Sequence, residues 1–248
     1  MNSARLAWAF LTRLPGGRHP DDEHSLSRAA PWFPVVGAAV GAITGLTYLG
    51  LSEVVSPVLA ALAAVGLGAA VTGAFHEDGL ADTFDSFGGY DLERRLEIMR
   101  DSRIGTFGTL ALVVATAAKV AALATLDGPD GLGALVLAHT FGRAVALGVM
   151  IMGPEARTEG LAAISSERRS RAAPAAVGVA VAIGLVLGPV TAVAAGALVL
   201  FALGATSFFR RHLGGVTGDA LGAVEQVGEI AALIVVSEML ATAGWLWA

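Results

Sequence analysis

The chain has 248 residues, 55% of them hydrophobic and only 15% charged, with a mean hydropathy of +0.69 and a formal net charge of −5. A soluble domain carries roughly 25% charged residues, so a length that would permit one or two soluble domains reads instead as one compact membrane bundle. The acidic balance and the lack of a dense basic patch exclude a nucleic-acid footprint. The absence of cysteine excludes a disulfide framework, a thiol nucleophile and a cysteine-based metal site.

In chain order, the apolar stretch 6–11 is too short for a secretory signal and is interrupted by Arg13 and Pro15. It predicts a short interfacial helix carrying Trp8 and Phe10. A Gly/Pro-rich polar loop follows. The first spanning segment is predicted over 32–51, since about 20 apolar residues at ~1.5 Å each cross a ~30 Å hydrocarbon core. Gly37, Gly41 and Gly45 repeat every fourth residue on it. That spacing predicts close helix packing within the bundle rather than a dimer seam. Further apolar runs cover 57–75, 107–126, 132–152, 172–187, 190–208 and 220–247. DGPDG at 127–131 reads as a tight turn, and Trp245 and Trp247 as interfacial anchors. The fold class is therefore all-α: a polytopic membrane helix bundle of about seven transmembrane helices, forming a single domain over 1–248. No internal repeat is visible, and so no inverted-repeat transporter signature.

The basic residues orient this bundle. All 16 lysines and arginines except Lys119 and Arg143 fall in 1–31, 76–106, 153–171 and 209–219. The positive-inside rule then predicts a cytoplasmic N-terminal segment over 1–31 and polar loops that meet on the cytoplasmic face of the inner membrane.

The longest polar island, 76–106, is the predicted catalytic loop. Asp78, Asp82 and Asp85 are spaced four and three apart, on one helical face. Like charges so placed repel unless a cation neutralises them, and an all-oxygen donor set points to Mg²⁺ or Mn²⁺. The plain alternative is a solvated acidic loop. His76 is either a catalytic base, a substrate contact or a structural histidine, and Glu77 points away from the acidic face. After a short helix over 91–99, Asp101 is a further candidate metal ligand. Arg100 and Arg103 are candidate phosphate clamps, set against a plain role as topology-determining arginines. Arg143 and Lys119 lie inside spans, where charges face a cavity or a partner. Arg143 is predicted to reach a phosphate from a cytoplasm-facing cavity, and Lys119 to pair with Glu225 or Glu229. Over 214–229, Asp219 either completes the metal site or caps a helix, while Glu225 and Glu229 share a helix face. Clustered carboxylates, nearby arginines and a cytoplasm-facing cavity read as metal-assisted phosphoryl or phosphodiester chemistry.

The segments FLTRLP (10–15), RAAPWFPVVGAAVGAITGL (28–46), GAFHEDGLADTFDSFGG (73–89), RLEIMRDSRIGTFG (95–108) and GGVTGDALGAVEQVGE (214–229) resemble the cobalamin synthase family, the adenosylcobinamide-GDP ribazoletransferases. The resemblance covers nearly the whole chain. It implies an inner-membrane, Mg²⁺-dependent enzyme that joins adenosylcobinamide-GDP to α-ribazole or its phosphate and releases GMP. In that reading a ribose hydroxyl attacks the phosphate nearest the cobinamide. Carried over, Asp78, Asp82, Asp85, Asp101 and Asp219 are the metal-ligand candidates, Asp85 and His76 the catalytic ones, and Arg100, Arg103 and Arg143 the phosphate contacts. The expected partners are those small molecules and membrane lipid, with homo-oligomerisation left open and no nucleic acid. Two other readings are a CDP-alcohol-type phosphotransferase and a cation-coupled transporter, with charges lining an ion path.

Overall fold

The computed structural model describes residues 2–16, 28–154, 156 and 190–243. The expectations for the polar loop after Ala156, the apolar run 172–187 and the anchors Trp245 and Trp247 lie outside these residues. The described helices are α1 (Ser3–Leu11), α2 (Phe33–Ser52), α3 (Pro57–Thr72), α4 (Phe75–Asp85), α5 (Leu92–Ile98), α6 (Thr106–Leu123), α7 (Gly128–Met152), α8 (Val190–His212) and α9 (Gly218–Ala243). One-turn 3₁₀ segments precede α2 and follow α4.

Among the described residues, four helical stretches are long and apolar enough to cross a membrane: residues 30–52, α6, α7 and α9. The fold is thus an all-helical membrane bundle, but seven spans are not reached within this set. The apolar run at 57–75 is one reason. It breaks into α3 and α4, which meet at a 93° bend. The bend is made by two consecutive left-handed residues, Gly73 (φ 70°) and Ala74 (φ 55°). Glycine takes that conformation freely and alanine only under constraint. Helix α3, 16 residues starting at a Ser56 cap and Pro57, is about 24 Å long, so it ends short of a full hydrocarbon crossing. Helix α4 then turns across its end, taking Asp78, Asp82 and Asp85 out of the spanning direction.

Small residues set the packing. The Gly37–Gly41–Gly45 stripe of α2 lies on α7, running antiparallel to it. A Cβ on Gly37 would overlap the His139 carbonyl, one on Gly41 would lie 2.6 Å from the Leu135 carbonyl oxygen, and one on Gly45 would lie 2.6 Å from Leu132 Cδ1. Tyr48 closes the far end of this pair. Its hydroxyl donates to the Leu123 and Leu126 carbonyls (2.9 and 2.8 Å), fixing the turn between α6 and α7. The turn itself is capped by Asp127, which accepts from the Asp130 N–H at 2.9 Å. Helices α7 and α9 are the most buried of the four and cross at Gly142 and Gly228. Helix α4 packs on α9 through Gly79 and Gly222. The predicted interfacial helix is α1, and it buries Leu6, Ala7, Ala9 and Leu11 in the bundle. Phe10 stacks on Phe33 (centroids 5.7 Å apart) and meets Phe75 edge-on at 5.5 Å.

If the α2 stripe is a packing surface, Gly41→Val should lower the thermal stability of the purified protein by the ~1–3 kcal/mol typical of overpacking. Gly66 has nothing within 4 Å of its would-be Cβ. Gly66→Ala should therefore be neutral, or stabilising by up to ~1 kcal/mol through helix propensity. Equal effects at the two sites in detergent melting curves would refute the packing assignment.

Candidate active site

Two polar constellations occupy the bundle, on opposite faces of α4. The first is the acidic face. Asp78 is exposed, Asp82 half-buried and Asp85 buried. Asp219, half-buried at the start of α9, joins them because Gly79 lets α4 lie directly on that first turn: a Cβ at Gly79 would be 2.7 Å from the Asp219 carbonyl oxygen. Helix capping there is done by Thr217, whose hydroxyl accepts from the Ala220 N–H at 3.1 Å. Burial, and then the charges of Asp78, Asp219 and Asp85, raise the Asp82 carboxyl to about 7. Asp78, Asp82 and Asp219 are therefore a set of hard oxygen donors at one end of α9, with Asp78 and Asp219 both raising the Asp82 carboxyl.

Asp85 is used differently. Its two oxygens accept the N–H groups of Gly105 (2.6 Å) and Gly108 (2.8 Å), tying α4 to the start of α6. A Cβ on either glycine would overlap that carboxylate. Asp85 thus positions the 99–105 loop through two backbone amides. Within that loop Asp101 and Arg103 pair with each other: Arg103 Nη2 lies 2.6 Å from Asp101 Oδ2, and Nε donates at 3.0 Å. The Arg103 hydrogen bonds lower the Asp101 carboxyl to about 2. Arg100 is exposed in the same loop. Arg95 is a structural link, donating to the Gly89 carbonyl (2.9 Å) and to the His212 carbonyl at the end of α8 (3.2 Å).

The second constellation is a buried ion network at mid-depth in the bundle. Lys119 of α6 donates to Glu229 (2.5 Å) and Gln226 (2.8 Å) of α9. Arg143 of α7 lies 2.6 Å from Glu225 and 3.0 Å from Glu229, and His139 pairs with Glu229. Gln226 also donates to Glu77 at 3.2 Å, and His76 lies 3.6 Å from Glu225. The predicted pairing of Lys119 is thus found. Arg143 was expected at a phosphate, but it is 2% exposed and committed to two carboxylates. His76, two residues before Asp78, falls on the opposite side of α4, 3.6 Å from Glu225.

His139, Gln226 and Glu77 were not foreseen as members of this network. His139 sits four residues before Arg143 in an apolar run, and that i, i+4 spacing was the available signal. His139, Glu225 and Glu229 place ligand atoms within 4.8 Å of one another. Lys119 and Arg143 offset the charges of Glu225 and Glu229 in this cluster. A cavity of about 20 Å³ within it has room for about one water.

Comparison with known proteins places the chain in a family. The profile of a family described as cobalamin-5-phosphate synthase matches residues 3–237. An adenosylcobinamide-GDP ribazoletransferase from Bradyrhizobium diazoefficiens is 43% identical, over 93% of this chain and 91% of its own. Proteins of the same name from Ralstonia nicotianae (40% identical, 92% of each chain) and Escherichia coli (39% identical, 93% of this chain and 98% of its own) are also similar. No solved structure is a significant match. An all-helical membrane bundle matched by that profile along nearly its whole length belongs to the cobalamin-5-phosphate synthase family of enzymes.

Proposed function

We propose that the protein transfers the cobinamide phosphate of adenosylcobinamide-GDP to a ribose hydroxyl of α-ribazole or its phosphate, releasing GMP, with Mg²⁺ (or Mn²⁺) held by Asp78, Asp82 and Asp219. The substrates follow from the names of the relatives. The observation that supports the metal is Asp82, whose carboxyl is pushed to about 7 by burial and like charges. Such a set of hard oxygen donors suits a small divalent cation. When bound there, the ion supplies charge neutralisation at the diphosphate oxygens.

The chain's own groups do the rest. Asp85 holds the 99–105 loop against α4 through Gly105 and Gly108. Arg100 and Arg103 then stand beyond the Asp85 end of the acidic face. There Arg103 exchanges its Asp101 partner for a phosphate oxygen, a match its planar fork favours. Asp101, with its exposed partner, serves as the resting counter-charge. The arginine-rich loops fit a site on the cytoplasmic side of the inner membrane. The buried ion network keeps α4 seated on α9.

Purified protein in nanodiscs, given adenosylcobinamide-GDP and α-ribazole phosphate, should release GMP only when both substrates and Mg²⁺ are present, and EDTA should stop it. Asp82→Asn should lower the rate by about 10²-fold or more without changing insertion. Release of GMP without an acceptor, or normal turnover by a well-folded Asp82→Asn protein, would set this reading aside.

The raised Asp82 carboxyl also fixes a pH dependence. Its folded value of about 7 lies above the ordinary 3.8, so its contribution to stability is fully present below about pH 4 and is lost as the pH rises through about 7. Metal-free protein should therefore melt at a lower temperature at pH 8 than at pH 5, and Mg²⁺ should recover part of the loss at pH 8. Asp82→Asn should flatten both responses. An Asp82→Asn protein with the wild-type pH profile would contradict the assignment.

A further inference from the structure

One motif remains without a role. FLTRLP carries Arg13, and the fold sets this residue at the joint between α3 and α4. Its backbone N–H donates to the Val71 carbonyl at 2.7 Å, near the end of α3. Its side chain lies flat over Gly73: a Cβ there would overlap Arg13 Nε and stand 2.8 Å from Cγ. The segment around it is also fixed. Thr12 is buried and its hydroxyl donates to the Trp8 carbonyl at 2.8 Å. Trp8 Nε1 donates to the Pro15 carbonyl at 3.3 Å, and Phe10 is wedged between Phe33 and Phe75. An arginine that only satisfied the end of α3 would give its guanidinium to the last carbonyls. Among the described residues no carbonyl accepts from the Arg13 guanidinium and no carboxylate lies within ion-pair distance. The head group remains exposed.

The joint is where the acidic face begins. Gly73 is followed by Ala74, whose carbonyl accepts the Asp78 N–H at 2.9 Å. Asp78 is the exposed end of the carboxylate set. A guanidinium with an unoccupied fork, its stem held over Gly73 at the start of the arm that carries the carboxylates, matches a diphosphate bridging it to a cation held there. The fork takes phosphate oxygens that the cation leaves, and bidentate guanidinium–phosphate bonds are among the stronger charge-assisted contacts.

We propose that Arg13, cradled by Gly73, is a binding residue for the diphosphate of the nucleotide-activated substrate, at the Asp78 end of the site and opposite Arg103. This inference rests on the ribazoletransferase reading. It assigns donor recognition to the N-terminal segment, and it gives Gly73 a second role besides making the bend.

The test separates the two substrates. Steady-state GMP release is measured for wild type, Arg13→Lys and Arg13→Gln in nanodiscs, varying adenosylcobinamide-GDP and α-ribazole phosphate in turn, with melting curves recorded alongside. Arg13→Gln should raise the KM for the donor by about tenfold or more, the scale of one lost charged hydrogen bond, and leave the acceptor KM within twofold. Arg13→Lys should fall between. Inorganic pyrophosphate should compete with the donor in wild type and lose potency by a similar factor in Arg13→Gln. An unchanged donor KM, equal rises for donor and acceptor, or a change confined to the melting temperature would overturn the proposal. Wild-type turnover in the same preparation keeps that result distinct from failure of the ribazoletransferase reading, which would show as no GMP release from any of the proteins. In that case pyrophosphate binding to wild type, measured by calorimetry and undiminished in Arg13→Gln, would equally overturn the role of Arg13.

Discussion

Two cations and two carboxylates buried in a single layer hold the centre of this bundle together. Lys119 comes from α6, Arg143 from α7, and Glu225 and Glu229 from α9. Each charge alone would be costly in a spanning helix. Paired and hydrogen-bonded they are tolerated, but removing one partner leaves an uncompensated buried ion, a loss of about 3–5 kcal/mol. The requirement that all four meet restricts the rotation of three helices about their axes at once. Glu77 and His76 extend the constraint to α4. The inner face of α4 is thereby held against α9, and its outer face must carry Asp78 and Asp82 past Asp219. In this sense the position of the acidic face depends on the buried network.

Glycine makes this geometry affordable in space. Gly79 on Gly222 and Gly142 on Gly228 bring helix backbones close enough for short side chains to connect. The bend at Gly73 and Ala74 supplies the change of direction, turning an apolar run into a spanning arm followed by a polar one. Asp85 then completes the frame by joining α4 to α6. The acidic face and its neighbouring arginines are therefore brought together from three separated stretches of chain: α4, the 99–105 loop and the start of α9.

Much of this was legible in the sequence. The apolar runs gave the described helices to within a few residues, and the every-fourth glycines of α2 announced their packing surface. The spacing of Asp78 and Asp82 marked the acidic face, and Glu225 and Glu229 marked a charged stripe inside a span. What could not be read was which way each polar side chain faces. His76 and Asp78 are two residues apart and end on opposite sides of one helix. Arg143 looked like a phosphate ligand because its carboxylate partners lie 82 and 86 residues away in the chain, a tertiary fact that no local pattern carries. Asp85 continued the acidic spacing, yet the glycines at 105 and 108 claim it. The bend between α3 and α4 was hidden for a different reason: hydropathy measures apolar length and is blind to a single left-handed alanine.

The central claim is that α4 and α9 converge to make one cation site from Asp78, Asp82 and Asp219, leaving Asp101 outside it. Electron paramagnetic resonance of Mn²⁺ added to purified protein tests this most directly, using wild type, Asp82→Asn, Asp219→Asn and Asp101→Asn. The account predicts a bound-Mn²⁺ signal in wild type and Asp101→Asn that is lost in both other variants. Wild-type binding retained by Asp82→Asn and Asp219→Asn, or lost only in Asp101→Asn, would contradict it.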